Sequence, residues 1–288
     1  MGAIRKTLFI TFLLLVACRE KHVVVPRDVK APPARVVSLS PSTTETIAVL
    51  GALPILVGRS RYCDYPPEVA SLPDVGGYVD PNLEAIVALR PELVVGARGP
   101  AGRRIDDTLK SRGIDTYFPP TESIDEVFAM MNGLAEKIGR ASEADRVVAR
   151  IQARLARIDA VVKTLDHPRV LLLFGVQPIV AAGPKGFGDE ILKRAGGVNA
   201  VKEGEAYPQL DIEAVAGLDP DIIVDAAVAE EHGAQRITKS AGGWSRVRAV
   251  RDDKVIPLAD EVVLRPGPRV DEGVATLARA LHPHATIP

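Results

Sequence analysis

Glu84 and Glu213 hold equivalent places in a segment that the chain uses twice. Residues 82–95 read NLEAIVALRPELVV and residues 211–224 read DIEAVAGLDPDIIV. The two align without a gap over an early glutamate, a Leu-x-Pro and a β-rich apolar run. A tyrosine stands six residues ahead of each glutamate, Tyr78 before Glu84 and Tyr207 before Glu213. A carboxylate at such a place stabilises a helix N-terminus by about 0.3–1 kcal/mol, and it is also a charge that a partner can read. Duplicating one supersecondary unit implies two similar halves.

Other reactive residue types are sparse. Glu261 and Arg265, four apart, have the spacing of the weak ion pair common on protein surfaces. Gly183-Pro-Lys-Gly-Phe-Gly188 precedes a helical stretch but matches neither the P-loop nor the dinucleotide pattern, so it reads as a turn. His282 and His284 form an H-x-H, while His22, His167 and His232 are scattered, without the paired spacing of a metal site. No serine sits in a Gly-x-Ser-x-Gly turn, and Cys63 has no histidine near it in sequence, so no nucleophile–base pair is legible. Cys63 is either a small buried hydrophobe or a thiol that contacts a ligand. Fold alone does not exclude catalysis, so an enzyme or a metallochaperone stays open as the less favoured reading.

The elements that must position these residues begin after an address. Arg5 and Lys6 precede an apolar run from Leu8 to Ala17, too short for the ~20 residues of a membrane span. The run ends Leu15-Val16-Ala17-Cys18, which resembles the lipobox of bacterial lipoproteins. That resemblance implies a signal peptide over 1–17, a lipid on Cys18, a tether over 18–34 and a periplasmic or otherwise extracytoplasmic, membrane-anchored location. An ordinary signal peptide with an incidental cysteine is the alternative. With Cys18 lipidated, Cys63 stands alone and no disulfide framework exists, so a large core must supply stability. The chain has 288 residues, 47% of them hydrophobic, and a net charge of −1, so no basic field argues for nucleic acid or an anionic membrane surface.

Strand and helix signals then alternate, which indicates parallel, Rossmann-like α/β lobes. Strands are expected at Arg35–Leu39, Ile55–Gly58, Leu93–Ala97 and Asp115–Phe118, with helices over Ser42–Gly51, the first repeat and Arg103–Arg112. The second half repeats the order, with strands at Arg169–Phe174, Asp221–Asp225 and Lys254–Leu258 and helices over Asp189–Ala195, Ile212–Leu218 and Val270–Leu281. Between the halves, Ser142–Asp166 lacks Gly and Pro, and Ala144, Val148, Ile151, Leu155, Ile158, Val162 and Leu165 form one apolar stripe. Ser142-x-x-Asp145 is read as its capping box. A coiled-coil dimer would use such a stripe, but the pattern lasts little over three heptads. A single helix along both lobes of a monomer is the preferred reading. The lobes are placed at 35–141 and 167–288, with the linking helix over 142–166.

Five stretches carry a further resemblance: Arg35-Val-Val-Ser-Leu-Ser-Pro-Ser-Thr-Thr-Glu45, Tyr62-Cys-Asp-Tyr-Pro-Pro-Glu68, the first repeat, Tyr207-Pro-Gln-Leu210 and Arg265-Pro-Gly-Pro-Arg269. From about residue 35 to 282 the chain is similar to the helical-backbone class of solute-binding proteins, which serve ABC importers of cobalamin, haem and ferric siderophores, and most to the cobalamin-binding members. The resemblance implies two α/β lobes, one linking helix and a ligand cleft between them. It implies docking of Glu84 and Glu213 onto a two-fold permease that works with ATPase subunits, where a symmetric partner calls for equivalent charges. No permanently bound cofactor is implied; the ligand is cobalamin or another corrinoid, carried as cargo. Such a flat, largely apolar disc needs aromatic faces and a few polar anchors. Tyr62, Tyr78 and Tyr207 match the aromatic positions, and Glu261 and Arg265 match polar positions at the ligand's edge. The class has tryptophan where this chain has Tyr78, Ala97 and Tyr207, which leaves another corrinoid, a haem or a smaller chelate open.

Overall fold

The structure is a computed structural model that describes residues 31–77, 79–98, 102–227 and 237–288. Tyr78 and Cys18 lie outside the described residues, as do His22 and His232.

The first sheet contains β1 (Val36–Ser38), β2 (Leu56–Arg59), β3 (Leu93–Val95) and β4 (Asp115–Tyr117), in the order β2-β1-β3-β4 and all parallel. Its central strands are apolar on both faces because helices cover both. Val36, Leu93 and Val95 pack with Ile47 of α1 (Pro41–Val49) and with its C-cap, Leu50. Val37 and Val94 face the other way, onto Ile86 of α2 (Leu83–Ala88) and Leu109 of α3 (Gly102–Lys110).

Helix α4 (Ile124–Lys137) follows, then α5 (Ala141–Val162), with Gly139 turning the chain between them at φ 69°. The stripe on α5 is buried as its spacing demands, apart from Leu165, which lies beyond the helix end and is half-buried. Its start differs from the expectation. Arg140 is the N-cap, and Ser142 lies inside the first turn, where its hydroxyl donates to Glu143, so the Ser142–Asp145 capping box does not form. The 22-residue helix is about 33 Å long at ~1.5 Å per residue. Helix α4 had no place in the sequence reading, yet it doubles the connection. Its first half (Ile124, Val127, Met131) packs into the core of the second sheet, while Leu134 and Ala135 pack into the first. Helix α5 divides likewise, with Ala144 in the first core and Val148 through Val162 in the second. The spine is thus two packed helices that each touch both lobes, a stiff joint by construction.

The second sheet has the order β10-β9-β5-β6-β8, with β7 also on β5. It is built from β5 (Arg169–Val176), β6 (Ile179–Ala181), β7 (Val198–Asn199), β8 (Gln209–Leu210), β9 (Ile222–Asp225) and β10 (Val255–Pro257). β9, β10 and β7 run parallel to their neighbours, but β5-β6 and β6-β8 pair antiparallel. The second lobe therefore repeats the first across β7, β5, β9 and β10, which match β2-β1-β3-β4, and it adds an antiparallel extension through β6 and β8 that periodicity did not show. Alternation sorts the core: Val170, Leu172 and Val224 face α5, α6 (Phe187–Arg194) and α9 (Val270–Leu281). Leu171, Leu173 and Ile223 face α7 (Ile212–Leu218), α8 (Arg248–Arg251) and the buried Trp244.

The duplicated segment folds the same way twice, down to single bonds. Asn82 Oδ1 accepts from Ala85 N at 3.0 Å, and Asp211 Oδ1 accepts from Ala214 N at 2.7 Å, so each caps its helix. Each helix ends in a left-handed residue before proline, Arg90 at φ 46° and Asp219 at φ 44°. An arginine at the start of the paired strand, Arg35 just ahead of β1 and Arg169 the first residue of β5, then closes the helix C-terminus. Arg35 Nη2 donates to the Leu89 carbonyl at 2.6 Å and Arg169 Nη2 to that of Leu218 at 2.7 Å. Replacing Asp211 with alanine should cost about 1 kcal/mol by orphaning the Ala214 amide, read as a lower urea midpoint at unchanged slope. Asn82→Ala should cost the same. A neutral result at both sites would show that the caps do not hold these short helices.

Three motifs resolve as structure. In the glycine-rich loop, Asp189 accepts from Lys185 N at 3.1 Å and from Asn199 at 3.0 Å, filling the start of α6 with its own carboxylate. A Cβ on Gly183 would strike the Glu205 carbonyl, which explains glycine there. His282 is buried with Nε2 3.1 Å from the Ala195 carbonyl, an arrangement in which the ring donates, and burial pushes its pKa below the usual value. Cys63 is also buried, within 3.0 Å of the Thr44 hydroxyl and 3.2 Å of the Ser60 hydroxyl. Burial raises its thiol pKa, so it is a packed thiol and a poor nucleophile.

Candidate inter-lobe binding site

Parallel strands present their carboxyl ends to a crevice where ligands bind in open α/β sheets. In the first lobe this edge carries Leu39–Ser40 after β1, Ser60–Tyr65 after β2 and Gly96–Arg98 after β3. It is lined below by buried hydroxyls. Ser40 Oγ lies 2.9 Å from the hydroxyls of both Ser42 and Thr43, accepts from Ala97 N at 3.0 Å, and Thr43 lies 2.7 Å from Ser38. Every one of these groups has a partner, so the network braces the start of α1 and presents no unmet donor.

The second lobe reaches this edge through the segment after β10. Arg265-Pro-Gly-Pro-Arg269 arches over α1, with Gly267 so close that a Cβ would sit 3.3 Å from Ser42 Cα. The two arginines flanking that arch converge on Glu45, a carboxylate only 1% exposed. Arg269 donates through Nε at 2.9 Å and Nη2 at 2.8 Å, and Arg265 Nη1 donates at 3.1 Å. Arg265 also holds Asp64 at 2.7 and 3.1 Å and Glu261 within its own segment. Burial works against the Arg265 charge, but Asp64, Glu261 and Glu45 outweigh it and hold its pKa above the usual arginine value. Burial likewise opposes ionisation of Asp64, and Arg265 overcomes it, leaving that carboxyl below the usual range. The Arg269 guanidinium carbon lies 4.0 Å from the centre of the Tyr65 ring. Two charges of the second lobe are thus clasped by three groups of the first.

The sequence reading assigned Arg265 and Glu261 to a ligand's edge. The structure does bring them together, but the Arg265 guanidinium is 11% exposed and engaged by three carboxylates. Glu45, Asp64 and Arg269 were missed. The legible signal was Glu45 at the end of Ser-Pro-Ser-Thr-Thr-Glu, a charge on a helix whose neighbours are all buried.

The aromatic candidates separate. Tyr62 is 53% exposed just beyond β2, on the crevice edge of the first lobe. Tyr207 is 43% exposed, packs against Phe174 of β5 with ring centres 5.5 Å apart and the rings tilted by 56°, and its hydroxyl donates to Glu122 Oε2 at 2.8 Å. Glu122 lies between β4 and α4, so this bond crosses from one lobe to the other near a second crossing bond, Ile124 N to Glu190 Oε2 at 2.8 Å. The arrangement leaves aromatic surface facing solvent where the lobes meet. Trp244 contributes none of it, being buried in the second core.

Glu84 and Glu213 sit in the first turns of α2 and α7, exposed and away from the clasp. Glu213 lies 3.8 Å from Arg246, and both side chains are largely solvated. Among the described residues no group of three or more His, Cys, Asp and Glu could hold a metal ion.

The model of the periplasmic binding protein family matches residues 36–262. The vitamin B12-binding protein of Salmonella typhimurium is 31% identical over 248 residues, covering 86% of this chain and 90% of that one. The ABC transporter substrate-binding lipoprotein YvrC of Bacillus subtilis, itself uncharacterised, is 29% identical over 88% of this chain and 82% of its own. Among solved structures, a periplasmic haem-binding protein from a Roseiflexus species superposes with a TM-score of 0.77 at 26% identity, covering 88% of this chain and 98% of that one. Two α/β lobes, a helical spine and a match spanning both sheets lead to one conclusion: the chain belongs to the periplasmic binding protein family.

Proposed function

We propose that this protein is the solute-binding lipoprotein of an ABC importer and that it captures a corrinoid between its lobes. The observation that carries the reading is the pair of half-exposed tyrosines, Tyr62 and Tyr207, at the edges where the two lobes meet. A flat macrocycle gains most of its affinity from such faces. The vitamin B12-binding relative, matched over 86% of this chain, supports a corrinoid as cargo. Tyr78 is proposed as a third contact on the strength of its place before the first repeat. Glu261 is proposed as a polar anchor, and Arg265 as the residue that holds Glu261 in place. The lobes are taken as 35–141 and 167–288, joined through 142–166. The YvrC relative, a lipoprotein of an ABC transporter, supports both the lipid on Cys18 and a permease dimer with ATPase subunits as partner. No helix among the described residues is long and apolar enough to cross a membrane.

A haem is the second reading. It is favoured by the haem-binding structure and by the tyrosine or alanine at three places where the cobalamin-binding class has tryptophan. The test is to incubate purified protein separately with cyanocobalamin, haemin and a ferric siderophore, desalt, and record visible spectra. Cobalamin should co-elute, and at a hundredfold excess over its dissociation constant should stabilise the fold by about 2.7 kcal/mol. Retention of haemin or the siderophore without cobalamin would replace the corrinoid reading.

A further inference from the structure

A net charge of −1 conceals a local imbalance on the outer face of the spine. The stripe from Ala144 to Val162 turns one side of α5 into the two cores. At about 100° per residue, Arg146, Arg150 and Arg157 fall on the opposite side, and all three are exposed. They span about 16 Å of helix at ~1.5 Å per residue. No Asp or Glu occurs from Arg146 to Arg157, and the exposed residues among the arginines are Ala149, Gln152, Ala153 and Ala156. Arg150 and Arg157 have no hydrogen-bond or ion-pair partner among the described residues. Arg146 is 76% exposed and shares Glu143 with Arg140, at 3.9 and 3.6 Å. The nearest buried acid, Asp271, is already held by Arg154 at 3.3 Å.

An arginine row alone is a solvated helix face, but a second observation says what lies against this one. The chain enters its folded body beside the same helix. Pro32, the first residue of that body, packs over the turn that starts α5, so close that a Cβ on Gly139 would sit 2.8 Å from the proline ring. The segment that leads back to Cys18 therefore departs from the end of α5 at which the arginine row begins.

We propose that the outer face of α5 rests on an anionic phospholipid surface, an inference that depends on the lipid assigned above to Cys18. From Cys18 to Pro32 the chain reaches at most about 50 Å, so an anchored body stays beside the headgroups. A contact too weak to hold a free protein then becomes intramolecular. Each arginine near such a surface favours the contact roughly fivefold, and its planar fork suits phosphate oxygens. None of the crevice residues belongs to this face, so the contact takes no group away from ligand binding.

The test places the mature, cell-processed protein on vesicles of phosphatidylcholine alone or of equal parts phosphatidylcholine and phosphatidylglycerol, with a nitroxide on a small share of the headgroups. A fluorophore on Ala153→Cys, in the middle of the arginine row, reports approach to the surface; Cys63 is buried and Cys18 carries the lipid, so the new thiol labels alone. The protein should pellet with both vesicles, and quenching should be several-fold greater on the mixed ones. Replacing Arg146, Arg150 and Arg157 together with glutamine should bring quenching down to the level on neutral vesicles, as should added salt, with cleft-ligand binding unchanged. Failure to pellet with neutral vesicles would remove the lipid anchor, and this inference with it. Pelleting with equal quenching on both vesicles, or full quenching in the triple variant, would overturn the inference and leave the anchor standing.

Discussion

Glu45→Ala is expected to destabilise the protein by about 3–5 kcal/mol, the cost of breaking a buried ion pair by removing one partner. The reason is the asymmetry of what remains. Arg265 would keep Asp64 and Glu261, but Arg269 would keep only the Tyr65 ring and a carboxylate, Glu272, 4.0 Å away. Two partly buried guanidinium groups would then face each other with no charge between them. For a chain of this size the loss corresponds to a fall in Tm on the order of 10 °C. Glu45→Gln should fall between, since an amide preserves shape and can still accept. The double variant Glu45→Ala with Arg269→Ala should cost less than the sum of the single changes, because the second removes the orphaned charge. Urea unfolding of wild type, Glu45→Ala, Glu45→Gln, Arg269→Ala and the double variant measures this, and a Glu45→Ala loss below about 1 kcal/mol would mean that water already solvates the clasp.

The clasp also bears on function. Because Glu45 belongs to the first lobe and both arginines to the second, the pairs fix the spacing of the lobes along one flank of the crevice. Tyr207 and Glu122 span another part of the same boundary, and α4 and α5 enter both cores. A cleft held at three places is shaped before the ligand arrives. Preorganisation of that kind lowers the ordering cost of binding. Any ligand-induced movement must then be small or must break the Arg269–Glu45 pair.

How much of this was legible depends on whether a feature is local. The repeat could be read because it is a run of contiguous residues, and its cap, its left-handed stop and its strand recur at the same offset. Helices α5, α7 and α9 were placed within a few residues because each buries one stripe. Helix α4 was overlooked because its residues serve two cores in succession, Ile124 to Met131 in one and Leu134 to Ile138 in the other, so no single amphipathic face stands out. The hairpin strands β6 and β8, three and two residues long, carry too few positions for a period of two to register. The clasp escaped for a different reason. Glu45 and Arg269 are 224 residues apart, and nothing in a linear pattern pairs them. Arg265 was noticed and given the nearer partner, Glu261, when its buried contact is with Glu45.

Reversing the two glutamates proposed to dock onto the permease, Glu84→Lys with Glu213→Lys, should abolish uptake while leaving ligand binding intact. The glutamates are exposed in the first turns of helices of six and seven residues, so the folded chain loses only the helix-end contribution of about 0.3–1 kcal/mol apiece. Against a two-fold permease that offers cations to both lobes, each reversal turns an attraction into a like-charge contact, a penalty of several kcal/mol. Two such contacts weaken the complex by well over a hundredfold. The single variants should not be equal. Glu213 is already approached by Arg246, so its charge is partly answered within the chain, whereas Glu84 has no ion-pair partner among the described residues. Glu84→Lys should therefore impair uptake more than Glu213→Lys, and Arg246→Ala should strengthen docking at low salt, an effect that fades as added salt screens the charges. Uptake of labelled ligand by cells carrying the importer, alongside spectroscopic titration of each variant, separates the two roles. If the double reversal abolishes ligand binding as well, these glutamates serve the cleft or the fold, and the permease must read another pair.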